Sequence, residues 1–217
     1  MAQSVASVHR GLARIGGRPW TGLDTRKLKR RIRAQVARLL EPRDIPRLVR
    51  RDLEAARASI RHIGVGGGGI VCPVHGDLHL GQILRSAGRY LVLDFEGEPL
   101  AGPEDRLAWH SPLKDVAGML RSFDYAAAFG RREGAPGSPR EWAAWVHQAE
   151  GVFLSAYWRE MGDVISAATK ARDNLLGLYL VEKATYEIAY ELQSRPDWVD
   201  IPLGGLRRVL ARAGPKS

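Results

Sequence analysis

Two aspartates, Asp77 and Asp94, stand seventeen residues apart in the stretch from Val74 to Pro99, VHGDLHLGQILRSAGRYLVLDFEGEP. Between them, QILR and RYLVLDF are short apolar runs joined by SAG. That pattern predicts a β-hairpin with Gly88 supplying the turn conformation. A hairpin folds the chain back on itself, so Asp77 just before it and Asp94 near its exit converge. Gln82, at the hairpin entrance, adds an amide oxygen on the same side. Two carboxylates and one amide oxygen form a hard donor set. It suits Mg2+, an ion that keeps several waters and is shared with substrate phosphates. Zinc fits poorly, because thiolates are lacking and His75 and His79 flank Asp77 in a loop without helical i, i+4 spacing.

The elements that must position this stretch read as helices. DTRKLKRRIRAQVARLLEP has Leu28, Ile32, Val36 and Leu39 at helical spacing, Asp24 or Thr25 as cap and Pro42 as stop. DIPRLVRRDLEAARASIRHI repeats the pattern, with Asp44 as cap, Pro46 in the first turn and a stripe of Leu53, Ala56 and Ile60. The run Gly64 to Gly69 formally matches G-x-G-x-x-G. A nucleotide-binding version follows a strand and opens a helix; here a helix precedes and the strand IVCPV follows, so the run reads as a connection. Downstream, SPLKDVAGMLRSFDYAAAFG is a helix with Ser111 as cap and Val116, Met119, Leu120 and Phe123 on one face. EWAAWVHQAEGVFLSAYWREMG is another, with Trp142, Trp145, Ala149, Val152 and Phe153 expected inside. A long helix over Ile165 to Gln193 ends before Arg195-Pro196. The class is α+β, mostly α-helical, with a small central hairpin.

At 217 residues and 45% hydrophobic content the chain suits one compact core. No apolar run approaches the roughly 20 residues needed to cross a bilayer, and the first residues lack the apolar stretch of a secretory signal. The single Cys72 excludes an internal disulfide and fits a reducing compartment, so a cytoplasmic location is expected. The net charge of +9 sits wholly between Arg26 and Arg61, where thirteen basic residues face four acidic ones. Such a segment is either a basic face for nucleic acid or phosphate, or the solvated side of two helices. It contains no Phe or Tyr, which weakens the case for single-stranded nucleic acid, and nucleic acid is not the expected partner.

The arrangement H-x-D-x-x-x-x-N followed by a second Asp is that of protein-kinase-like phosphotransferases. HGDLHLGQ resembles its variant in the aminoglycoside phosphotransferase superfamily, with Gln82 in the Asn place. Three strings, HGDLHLGQIL…LDFEGEP, SPLKDVAGMLRSFDYAA and KATYEIAYELQSRPDWVDIPLGGL, are closely similar to actinobacterial maltokinases, over about residues 5 to 210. The resemblance implies transfer of phosphate from ATP, with Mg2+, to the anomeric hydroxyl of maltose, for α-glucan synthesis. It implies Asp77 as the group that takes the hydroxyl proton, and Gln82 and Asp94 as metal ligands. His75 and Asp115 would brace the catalytic loop, although Asp115 reads equally as an acid at a helix N-terminus. Lys183, Tyr186, Glu187 and Tyr190 on the late helix, with His79 and Glu96, would contact the sugar. By spacing alone that helix also reads as an amphipathic surface helix.

The resemblance further implies the C-terminal lobe of a protein-kinase-like fold, as a single lobe over 1–217. It divides into leading helices and a glycine linker (5–70), a catalytic loop and metal hairpin (71–99) and a helical sugar-binding part (111–210). Strand-rich sequence, a VAIK-like lysine and a Gly-rich loop in the right context are missing ahead of His75, so the N-terminal lobe is expected to be absent. Implied partners are maltose or a related sugar, a separately encoded N-terminal lobe and a trehalose synthase. Two other readings stay open: a lobe that binds sugar without turnover, and a kinase of another sugar, an amino sugar or an aminoglycoside.

Overall fold

A computed structural model describes residues 1–66, 69–97, 108–165 and 168–213. The described elements are mostly helices, with two small antiparallel sheets. The chain forms two compact units, Met1–Trp20 with Gly68–Ser166, and Thr21–Gly67 with Ala167–Ser217.

The first unit opens with α1 (Ala2–Gly16), a helix for which the sequence pattern sets no boundaries. It buries Ala2, Val5, Ala6 and His9 and packs on α5 (Pro139–Met161). Strand β1 (Arg18–Pro19) pairs with β2 (Ile70–Val71), and Cys72 bridges to His110. The central hairpin forms where the apolar runs predict it, from β3 (Ile83–Ser86) and β4 (Arg89–Val92), with Ile83 opposite Val92 and Ser86 opposite Arg89. Its two-residue turn needs positive φ at both positions. Gly88 (φ 75°) adopts this freely, while Ala87 (φ 47°) carries strain.

Helix α4 (Leu113–Arg132) buries Val116, Met119, Leu120 and Phe123, the stripe its spacing predicts. Helix α5 opens on a reciprocal cap: Glu141 N–H donates to Ser138 Oγ and Ser138 N–H donates to Glu141 Oε2. The inward face of α5 keeps Phe153 as expected and otherwise differs. Val146, Phe153, Tyr157 and Met161 are buried, while Trp145 and Val152 are 41% and 65% exposed. Apolar residues occupy two adjacent stripes of this helix, and packing selects the one carrying Tyr157.

In the second unit, α2 (Gly22–Leu40) buries Leu28, Ile32 and Val36. Its cap is Thr21, not Asp24 or Thr25: Thr21 N–H donates to Asp24 Oδ2 at 2.8 Å, and Asp24 is the third helical residue. Helix α3 (Arg47–His62) starts after Pro46 and has no side-chain cap, so Asp44 does not serve as one. Asp52 is buried between Arg51 and Arg207. Helix α6 (Thr169–Ser194) begins later than its pattern predicts. Helix α7 (Asp200–Ala213), for which the pattern likewise sets no boundary, buries Leu203, Leu206 and Val209. The basic segment lies on α2, α3 and their connection, and Arg31 pairs with Glu182 of α6. The glycine run lies partly outside the described residues, as do the last residues of the 71–99 segment. No described helix is long and apolar enough to cross a membrane.

Candidate functional site

The loop from His75 to Gln82 is held from below by one face of α4. Asp115 accepts the backbone N–H of His75 (2.8 Å) and of Gly76 (2.9 Å), one on each carboxylate oxygen. One turn on, Gly118 lies against Leu78: a Cβ there would overlap the Leu78 carbonyl oxygen. One turn further, Ser122 Oγ accepts the N–H of Leu80 at 3.2 Å and donates to Met119 O. Asp115, Gly118 and Ser122 recur at spacings of three and four, so they share one side of the helix. Leu78 itself is buried.

Asp115 is braced in turn. His9 Nε2 lies 3.0 Å from its Oδ2, and His9 Nδ1 lies 2.8 Å from the Tyr157 hydroxyl. Burial opposes charge on Asp115, but the His9 hydrogen bond and charge, with the two backbone N–H groups, outweigh it and hold its carboxyl below the ordinary value. An ionised Asp115 only accepts, so His9 donates to it through Nε2, while its Nδ1 faces the Tyr157 hydroxyl and its proton. Burial, then the nearby Asp115 charge, push the Tyr157 phenol well above its ordinary value, so it keeps that proton. The same two causes push the Cys72 thiol up to about 11, which leaves it a poor nucleophile.

His75 ties the loop to the hairpin exit. Its Nε2 is 2.7 Å from Leu93 O, and its Nδ1 is 3.3 Å from the Asp77 backbone nitrogen. The carbonyl can only accept, so Nε2 carries the proton and Nδ1 accepts. Both nitrogens are engaged in holding backbone. The His75 ring also packs on Phe95, with centroids 4.8 Å apart. Asp77 lies half-buried between these anchors.

Gln82 and Asp94 come together as the hairpin predicts. Gln82 Nε2 donates to Asp94 Oδ2 at 2.8 Å, and Leu93 N–H donates to Gln82 O at 2.9 Å. Asp94 sits at φ 64°, a left-handed conformation that Asp tolerates better than most residues. Its carboxylate is exposed, and with Gln82 it offers oxygen donors of the kind Mg2+ takes. Among the described residues no group of three or more His, Cys, Asp and Glu that could hold a metal ion is gathered. Glu96 is exposed in the following turn. His79 Nδ1 accepts the Gly81 N–H at 3.0 Å, capping the short turn Leu80–Gln82.

The remaining candidates belong to the second unit. On α6, Glu187 is buried, and Lys183 Nζ sits 4.9 Å from the centroid of the Tyr186 ring. Tyr190 is 39% exposed and lies against Arg195, which pairs with the buried Glu191. Four residues of the loop support escaped sequence reasoning: His9, Tyr157, Gly118 and Ser122. Gly118 and Ser122 follow Asp115 at helical spacing, which is a readable signal. His9 and Tyr157 have no local signal, because they reach each other and Asp115 only through tertiary contact.

The model of the phosphotransferase enzyme family, APH, matches residues 1–151. A glucosamine kinase of Streptacidiphilus jiangxiensis is 34% identical over 129 residues, 59% of this chain and 29% of that protein. A glucosamine kinase of Mycolicibacterium smegmatis (strain ATCC 700084 / mc(2)155) is 31% identical over 163 residues, 75% of this chain and 40% of that protein. A glucosamine kinase structure in complex with glucosamine, ADP and inorganic phosphate has a TM-score of 0.82 at 28% identity, covering 97% of this chain and 54% of that one. Another, in crystal form B, has a TM-score of 0.83 at 27% identity, over 97% of this chain and 51% of that one. The chain thus spans about half the length of these solved structures, and less of the two curated relatives.

Proposed function

The chain belongs to the phosphotransferase enzyme family, and on that premise we propose that it moves the γ-phosphate of ATP to a hydroxyl of a sugar, with an amino sugar as acceptor. The observation that carries this reading is the three-point bracing of the Asp77 loop by Asp115, Gly118 and Ser122. Phosphoryl transfer asks little covalent chemistry of a protein and much positioning. Asp77 takes the proton of the attacking hydroxyl as its oxygen bonds to the γ-phosphorus, and the bond to the β–γ bridging oxygen breaks, leaving ADP. Gln82 and Asp94 would hold Mg2+, which when bound neutralises charge on the phosphates. The solved relative in complex with ADP supports the choice of nucleotide. His75 works through the backbone it holds.

The acceptor is proposed from two supports. The relatives are named glucosamine kinases. Glu187 is a buried carboxylate on α6, the chemistry that an ammonium group seeks, with Lys183, Tyr186 and Tyr190 on the same helix for hydroxyls and apolar sugar faces. Maltose, implied by the sequence strings, is the competing acceptor. A nucleotide-covering lobe is proposed to raise the rate. The test is incubation with Mg-ATP and a panel led by glucosamine and maltose, following sugar phosphate. Product with glucosamine supports the reading, and product with maltose alone moves the acceptor. Sugar binding without any product, even with a nucleotide-covering lobe added, would make the chain a sugar-binding lobe.

A further inference from the structure

We infer that Arg195, just past the end of α6, is a positioning residue for sugar recognition, one that fixes the aromatic wall beside Glu187. This rests on the reading that α6 holds the sugar. Glu191 is 1% exposed. A carboxylate so buried needs a compensating cation, and Arg195 supplies one through two bonds, Nε to Oε2 at 3.0 Å and Nη2 to Oε1 at 2.7 Å. The fork fixes the plane of the guanidinium.

That plane is then used twice more. The guanidinium carbon lies 5.5 Å from the centroid of the Tyr190 ring and 4.7 Å from that of Trp198, within the range of cation–π attraction. The backbone of Arg195 makes the same junction. Its φ of −149° and ψ of 70° leave the helix, its N–H still donates to Glu191 O, and its carbonyl accepts the Trp198 N–H at 2.8 Å. One residue therefore ends α6, neutralises Glu191 and sets Trp198 relative to Tyr190. Tyr190 follows Glu187 by three residues and Tyr186 by four, so it shares their side of the helix. A pyranose offers C–H faces that lie on aromatic rings and polar groups that bind carboxylates. The spacing between rings and carboxylate selects for the ring size and the amine. Lysine supplies a point charge without the fork or the plane.

The test is calorimetric titration of the full chain with glucosamine, and separately with Mg-ADP. Four proteins are compared: the parent, Glu187→Gln, Arg195→Lys, and the double variant Glu191→Gln with Arg195→Gln, which removes the ion pair without stranding a buried charge. The expected result is about tenfold or greater weakening of glucosamine binding in the double variant, and a smaller loss in Arg195→Lys, with Mg-ADP binding unchanged. A general loss of structure would weaken both ligands. If the double variant does not fold, Arg195→Lys decides, and parent-level glucosamine affinity in it overturns the inference. Parent-level affinity in a folded double variant, with binding weakened in Glu187→Gln, overturns the role of Arg195 and leaves the α6 reading standing. A parent that does not bind glucosamine, or a Glu187→Gln variant that binds as the parent does, removes the α6 reading and this inference with it.

Discussion

Asp115 is 1% exposed, and its carboxyl is nevertheless held below the ordinary value. The burial penalty is met by His9 and by two N–H groups of the very loop that carries Asp77. A carboxylate with a lowered folded pKa contributes stability that is fully present above its unfolded value, about 3.9. That contribution is lost as pH falls through the lowered folded value. Asp115→Asn keeps the shape and removes the charge, so it should lose about 2–3 kcal/mol at pH 7. Urea unfolding measured from pH 7 down to pH 2 should show the parent losing stability below about pH 4 while the variant changes less, so the gap narrows. Parallel curves would mean that Asp115 is not the charged anchor described. At this scale the meeting of Gln82 with Asp94 is legible in the sequence, because residue type, spacing and a hairpin between them coincide. His9 and Tyr157 are not legible, because their value comes only from tertiary contact with Asp115.

Helix α4 works as the bed of the loop, and Gly118 is its contact point. A methyl at 118 would meet backbone, the Leu78 carbonyl oxygen, which cannot swing aside. Gly151 on α5 is the natural control, since nothing lies within 4 Å of a Cβ there. Gly118→Ala should cost about 1–3 kcal/mol by overpacking and lower phosphate transfer, whereas Gly151→Ala should add about 0.5–1 kcal/mol through helix propensity. Thermal unfolding and the sugar phosphate assay on both variants check this. Equal behaviour of the two would remove Gly118 from the bracing. The stripes of α2, α3 and α4 can be read from periodicity, because each places one run of apolar residues at helical spacing. Helix α5 can be read only in part: Phe153 is buried as its spacing predicts, but Trp145 and Val152 offer a second apolar stripe and packing chooses Val146 and Tyr157 instead. Caps are harder to place to the residue: Thr21 outcompetes Asp24 because it stands three residues ahead and so completes the reciprocal pair.

Across the molecule, chemistry and charge are divided. The braced loop and the hairpin belong to the first unit, while α6 and the basic helices α2 and α3 belong to the second. The net charge of +9 resides on the stretch of those two helices from Arg26 to Arg61. Their outward positions are largely basic, but part of the excess is matched by α6, Arg31 by Glu182. The fold class is legible because helical periods dominate the chain and one hairpin interrupts them. The sugar is less so: the sequence strings resemble maltokinases, whereas the relatives found by comparison are glucosamine kinases. The proposed chemistry stands or falls with Asp77. The decisive measurement is phosphate transfer from Mg-ATP to glucosamine by the parent and by Asp77→Asn, with nucleotide binding followed alongside. The expected result is a fall of about a hundredfold or more in transfer, the worth of a positioned general base, with nucleotide binding retained. Transfer by Asp77→Asn at the parent's rate would contradict the role given to Asp77 and the loop that holds it.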